Sequence, residues 1–306
     1  VPPAPTRSFE VSSPDLSALR AWERHNASNL IELSCRIADG DRFRGREENV
    51  QLASVRLAHV WSTPHHVRRD RSLVAARPVD AVAVYLARRG EALVEHDDLR
   101  AVMRPGQMLV CDADRPFRRA FDHGLDELAV TVPRAAWTEL TGRATVATTI
   151  IDIAGDQYSR ALARQVGRAL VPVPPLPADE RGLLETLAVV STRGAVASAL
   201  AHRAAARAFI DDHLDDPGLA AQDIAAAVGI SERQLSRVFA DDGTTVPRHV
   251  LSRRLDLAHS LLSRAGPGLR TADVAARCGF SSLPYFTTAF KRRFGRSAGE
   301  VRRAAI

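Results

Sequence analysis

Asp223-Ile-Ala-Ala-Ala-Val-Gly-Ile-Ser231 and, fifty residues on, Asp273-Val-Ala-Ala-Arg-Cys-Gly-Phe-Ser281 are two copies of one design. Six of the nine pairs are identical or exchange Ile for Val. Each copy has the residues that a helix, a tight turn and a second helix require. Ala225 and Ala275 allow a neighbouring helix to approach closely. Gly229 and Gly279 supply the left-handed backbone that ends a first helix. Ile230 and Phe280 fill the space under the turn. Ser231, and Ser281 or its neighbour Ser282, can cap the next helix, and Ser231-Glu-Arg-Gln234 also fits a capping box.

The second helix of each copy divides into two faces. Leu235, Val238 and Phe239 recur at helical spacing and predict a core side, leaving Ser231, Arg233, Gln234, Ser236 and Arg237 outward. In the second copy Phe286, Ala289, Phe290 and Phe294 face inward, leaving Ser282, Leu283, Pro284, Thr287, Thr288, Lys291 and Arg292 exposed. Arginine and glutamine can bond base edges in a major groove, while lysine and arginine engage phosphates. Lys291, Arg292, Arg293, Arg296, Arg302 and Arg303 suit phosphates better than bases. Between the copies, His249 to Ser263 reads as one helix with Val250, Leu255, Ala258, Leu261 and Leu262 at helical spacing. Such a spacer can set two recognition helices about one DNA turn apart, roughly 34 Å.

Charge is placed accordingly. Of a net +6, residues 1–200 carry +1, residues 201–242 carry −4 and residues 243–306 carry +9. A small basic region suits a polyanion, since neutralised phosphates release counterions, although a solvated basic face has the same composition. The paired turn units and their spacer favour double-stranded DNA.

Arg254-Leu-Asp-Leu-Ala258 with Leu261-Leu262, and Gly279-Phe280 through Tyr285-Phe286 to Phe290-Lys-Arg-Arg-Phe-Gly295, resemble the hallmark segments of AraC/XylS-family regulators. The resemblance covers about residues 203–303. Two departures fall outside the recognition positions: the segment between Phe239 and Gly243 is one residue shorter than the common form, and Ala298 stands where proline is usual. A third falls within them. Thr288 occupies a position that often carries arginine, which places more of the sequence specificity on the first unit.

From about Val50 to Pro133 the chain reads as short strands broken by turns. Val82 to Gly90 alternates, Arg104-Pro105-Gly106-Gln107 is a turn before the apolar run Met108 to Cys111, Asp114-Arg115-Pro116 breaks the chain, and Glu127 to Pro133 closes the series. Strands at such intervals predict an antiparallel barrel or sandwich. Ser17 to Glu32 is mixed and receives no element. Leu86 to Gly90, Met103 to Asp112, Asp114 to Pro116 and Val132 to Arg134 resemble the cupin-like ligand domain of such regulators, which implies a small-molecule effector inside the barrel. Trp61, His66, Arg68, Tyr85 and Cys111 are the candidates to line it, against the alternative that each is a packed or surface residue.

Apolar positions in Asp156–Val171 and Ala178–Ser191 predict two helices, suited to dimerisation or coupling or to packing within one subunit. Val171 to Pro177 holds four prolines that must break any helix. The expected architecture is a multidomain α+β chain: a cupin-like β-barrel over 1–135, a helical linker or dimerisation region over 136–200, and an all-α domain with two helix-turn-helix units over 201–306.

His59, His65 and His66 raise a cupin metal site, but adjacent strand residues face opposite sides and no acidic residue precedes Asp70 nearby. No metal or cofactor is expected, and no GxSxG, P-loop or HExxH pattern appears. A metal-dependent cupin enzyme with a DNA-binding appendage and a ligand-independent regulator remain alternatives. Three distant cysteines suit a reduced, cytoplasmic protein. No apolar stretch approaches the roughly 20 residues of a membrane span. Val1 to Pro5 lack a signal pattern, and the absence of an initial Met leaves room for a few preceding residues. By family resemblance the expected partners are promoter DNA, an effector, RNA polymerase and a second copy of the chain. Activation is expected over repression.

Overall fold

Alanine and valine alternate through residues 81–84, and the reason becomes clear in a computed structural model describing residues 7–13, 16–38, 42–171, 176–264 and 269–304. The proline-rich break at 172–175 and the opening residues 1–5 lie outside the described residues. The first part of the chain forms β1 (Arg7–Ser13), α1 (Leu16–Asn29), β2 (Ser34–Arg36), β3 (Phe43–Gln51), β4 (Arg56–Ser62), β5 (His65–Arg69) and α2 (Arg71–Ala76). Then come β6 (Ala81–Arg89), β7 (Ala92–His96), β8 (Leu99–Met103), β9 (Gln107–Asp112), β10 (Phe117–Phe121) and β11 (Leu125–Pro133). Next are α3 (Arg134–Thr141), β12 (Thr149–Asp152), α4 (Gln157–Ala169), α5 (Glu180–Ser191) and α6 (Ser198–Asp212). The remainder is helical: α7 (Ala221–Val228), α8 (Glu232–Ala240), α9 (Val246–Leu262), α10 (Thr271–Arg277), α11 (Leu283–Phe294) and α12 (Ala298–Arg303). Among the described residues no helix is long and apolar enough to cross a membrane.

The chain divides into two units, Val1–Pro172 with Thr186–Val196, and Val173–Glu185 with Ala197–Ile306. In the first, seven strands in the order β1-β3-β4-β11-β6-β9-β12 and five in the order β2-β5-β10-β7-β8 form two antiparallel sheets. Ala83, Tyr85, Leu109, Cys111 and Ala129 of the larger sheet share one core with Val67, Val94, Met103 and Phe121 of the smaller, and α1 adds Ala18, Leu19 and Trp22. On the opposite face of β6, Val82, Val84 and Leu86 are buried as well. That is the face on which α4 packs against β11, so β6 is covered on both sides and its sequence is apolar throughout.

The strands extend beyond the stretch that the sequence indicated. β1 to β3 begin before Val50 and β12 follows Pro133, and their pairings have no local signal: Glu10 pairs with Arg46 and Thr149 with Val110. Residues 17–29, left without an element, lie in α1, whose buried side is Ala18, Leu19, Trp22 and Asn26.

In the second unit α9 serves two cores. Val246 and Val250 pack with Ile224, Leu235 and Phe239 around α7 and α8. Leu255, Ala258 and Leu262 pack with Val274, Phe286 and Phe290 around α10 and α11, and Leu257 lies against both clusters. Arg254 explains why its motif is informative. Its Nε donates to the Leu214 carbonyl and its Nη2 to that of Asp216, tying the α6–α7 connection to α9. Arg253 grips Asp211 with two bonds of 2.7 Å. Arg203 and Arg207 hold Glu185, Asp179 and Asp242 in a buried ion network that joins α5, α6 and the end of α8.

Candidate nucleic-acid interface and ligand cavities

Both turn units have the local chemistry that their sequences predict. Gly229 and Gly279 sit at φ +78° and +72°. Ser231 caps α8, accepting the Gln234 amide, while Gln234 Oε1 accepts the Ser231 amide and hydroxyl. Ser282, and not Ser281, caps α11 by accepting the Tyr285 amide at 3.3 Å. Leu235, Val238 and Phe239, and Phe286, Ala289 and Phe290, form the buried sides. Arg233, Gln234, Ser236 and Arg237 are exposed together along α8, and Leu283, Pro284, Thr287, Thr288, Lys291 and Arg292 along α11.

The two exposed rows differ in what they can still bond. Arg233 and Arg237 have no partner among the described residues, and the same holds for Lys291 and Arg292 in the last turn of α11. Gln234 is committed to its cap: a bidentate contact to adenine needs the amide oxygen as well as the nitrogen, and that oxygen is already occupied. On α11, Thr287 and Thr288 both donate to the Pro284 carbonyl at 3.0 Å. Two expected phosphate ligands are engaged within the unit, Arg293 with Asp256 at 2.7 Å and Arg302 with the Leu269 carbonyl at 3.0 Å. Tyr285, 54% exposed at the start of α11, belongs to this row but appeared in the sequence only as a hallmark position.

The five effector candidates do not converge. His66 and Arg68 are a correction. Along β5 the buried residues are His65, Val67 and Arg69, whereas His66 and Arg68 point outward to Asp122 and Asp70. Strand parity decides this, and counting from the wrong member of the adjacent histidines inverts the face. Tyr85 and Cys111 do point into the space between the sheets. There Arg119 bonds Glu127 through both Nη atoms, at 2.9 and 2.5 Å, and its guanidinium lies 4.1 Å from the Tyr85 ring centroid. Burial raises the Tyr85 hydroxyl pKa and pushes the Cys111 thiol up to about 12. His65, also buried here, has its pKa lowered to about 4, chiefly by burial. The cavity left in this interior is about 40 Å³. Trp61 lies elsewhere, 45% exposed on the outer face of the larger sheet. It borders a groove of about 900 Å³ beside α4. Among the described residues no three His, Cys, Asp or Glu side chains are grouped to hold a metal ion, and the three cysteines are unpaired and buried.

Comparison with known proteins matches residues 22–216 to an AraC-binding-like domain and residues 224–304 to a helix-turn-helix domain. The chain is 28% identical over 268 residues to the transcriptional activator NphR of a Rhodococcus species, covering 82% of this chain and 78% of that one. It is 34% identical over 96 residues to the transcriptional activator RhrA of Rhizobium meliloti, 31% of each chain. The crystal structure of the AraC-like transcriptional activator CuxR superposes with a TM-score of 0.50 at 18% identity, covering 81% of this chain and 94% of that one. At that identity the likeness speaks for the fold.

Proposed function

Because the chain belongs to the AraC family of DNA-binding transcription regulators, joining an AraC-binding-like domain to a helix-turn-helix domain, we propose that it is an effector-responsive activator that reads its operator mainly through α8. The observation that carries this reading is the contrast between two exposed helices on one unit. α8 offers Arg233 in its first turn and Arg237 one turn on, neither with a partner among the described residues, whereas on α11 the Thr287 and Thr288 hydroxyls are turned back onto Pro284 and the cations without such a partner, Lys291 and Arg292, lie in the last turn. Positive control is supported by the activator names of the relatives in Rhodococcus and Rhizobium meliloti. The working form is a cytoplasmic homodimer that recruits RNA polymerase, with a small molecule bound in the first unit biasing the DNA-binding unit by differential affinity for two states.

The test is footprinting of the protein on its own promoter region with wild type, Arg233→Ala and Arg237→Ala. The expected result is a salt-sensitive footprint that each substitution weakens about 10- to 100-fold, the worth of one base-reading arginine. Unchanged affinity and sequence preference in both variants would overturn the assignment of α8.

A further inference from the structure

The groove beside α4 has the size of a ligand site, whereas the interior between the sheets does not. Small-molecule pockets run from about 300 to 1,000 Å³, and the groove measures about 900 Å³ against about 40 Å³ inside. Inside, the buried Arg119–Glu127 pair, Tyr85 and Phe121 occupy the space that a ligand would need. The groove is open because α4 turns Ala163 and Gly167, one helical turn apart, toward the sheet. A side chain added at Gly167 would enter the groove near Leu128, whose Cδ1 lies 3.9 Å from the position of the new Cβ.

Its lining is apolar on one side and acidic on the other. Leu86, Leu128 and Leu170 form the apolar part, and Trp61 presents a half-exposed ring. Cross-strand register places Glu10, Arg46, Trp61 and Asp126 side by side in one row across β1, β3, β4 and β11. Three carboxylates, Glu10, Glu48 and Asp126, line the groove against two guanidiniums, Arg46 and Arg88. Arg46 is spent on Glu48 at 2.6 Å, and Glu10 has no ion-pair partner among the described residues. His59 cannot satisfy both of its neighbours. Its Nε2 lies 3.0 Å from Asp126 Oδ1 and 3.1 Å from Arg88 Nη1. One ring nitrogen can donate to the carboxylate or accept from the guanidinium, but not both. Whichever tautomer forms, the contact that His59 gives up is left to solvent or to the looser Arg88–Asp126 pair at 3.8 Å.

We propose that this groove, on the outer face of the sheet, is a binding site for a small organic cation: a primary amine on an apolar, ring-bearing body. The ammonium would donate to Asp126 and complete the carboxylate that His59 and Arg88 share, while the body packs on Leu128 and Leu170 beneath α4. Trp61 adds the face of an indole, which attracts cations. The proposal rests on reading the first unit as the sensory one and places the sensed molecule outside the sheets.

Three probes of similar size test it: 2-phenylethylamine, 2-phenylethanol and phenylacetate, which share the phenyl ring and are cationic, neutral and anionic. Binding to the full chain is read by thermal shift and by tryptophan emission, without DNA, so a failure here leaves the footprinting result standing. Trp61 is the exposed reporter, since Trp22 and Trp137 are 2% and 3% exposed. The amine should raise the melting temperature saturably, shift the emission, and bind about tenfold more tightly than the alcohol, a difference of about 1.4 kcal/mol, with phenylacetate weakest. Asp126→Asn should remove the preference of amine over alcohol, and Gly167→Leu should abolish both signals by filling the groove. Failure of all three probes, a preference for phenylacetate, or an amine preference that survives Asp126→Asn would overturn it.

Discussion

The two turn units were built from nearly the same nine residues, yet they differ in what surrounds the turn and in what the second helix offers. At Gly229 an added Cβ would meet nothing within 4 Å, whereas at Gly279 it would lie 2.3 Å from the Leu214 carbonyl oxygen and 2.9 Å from Arg254 Nε. On the second helices, α8 exposes two arginines without a partner among the described residues, and the middle of α11 exposes hydroxyls already bonded to their own backbone, its free cations lying in the last turn. The difference teaches that the second unit is the more deeply built into its domain, and it is what the proposed division of base reading rests on. Duplicated motifs need not divide the work equally.

The largest expected effect separates the two glycines. Left-handed backbone costs a non-glycine residue about 1–2 kcal/mol, and that is all Gly229→Ala should lose. Gly279→Ala must also displace Leu214 or Arg254, and should lose about 3 kcal/mol or more. Denaturant unfolding of the two variants checks this, and equal losses would erase the structural half of the comparison.

Next in size is an acid dependence that the two units share. His249 and His65 both have pKa values lowered from 6.5 to about 4, chiefly by burial. Their folded forms bind protons less readily than the unfolded chain does. The stability they confer is therefore full above about pH 6.5 and is lost as pH falls toward 4. Unfolding free energy should fall over that window, and His249→Gln should flatten its own share of the slope. A flat profile between pH 6.5 and 4 would contradict the burial of both rings.

Smaller effects sharpen the division on DNA. Lys291 is the only lysine of the chain, so its amine acylation can be followed by peptide mapping. DNA should protect it, and Lys291→Ala should weaken all sequences alike while reducing the salt slope by about 1. Thr288→Ala should change operator affinity by no more than about 0.5 kcal/mol, because its hydroxyl is already satisfied.

The second unit was legible because its information is local. A repeat at fixed spacing, glycines at turns, serines at caps and one-sided apolar periodicity are all short-range signals, and the core and exposed rows of α8 and α11 follow from them directly. The sensory unit is written in pairings far apart in sequence. β1 with β3, β12 with β9, and the row that joins Glu10, Arg46, Trp61 and Asp126 have no local signature. On β5 two adjacent histidines give no local means of choosing parity, and the pairing turns His65 and Arg69 inward, not His66 and Arg68. Arg69 in turn is spent on the Ala113, Glu32 and Arg77 carbonyls. Gln234 was legible both as a cap and as a base reader, and its bonds select the cap.

The most direct measurement is the affinity of a panel of single-base-pair operator variants for wild type, Arg233→Ala and Thr288→Ala. Discrimination should vanish at one or two base pairs with Arg233→Ala and persist across the whole site with Thr288→Ala. If the alanine on α11 flattened the profile and the one on α8 left it intact, the assignment of base reading to the first unit would be contradicted.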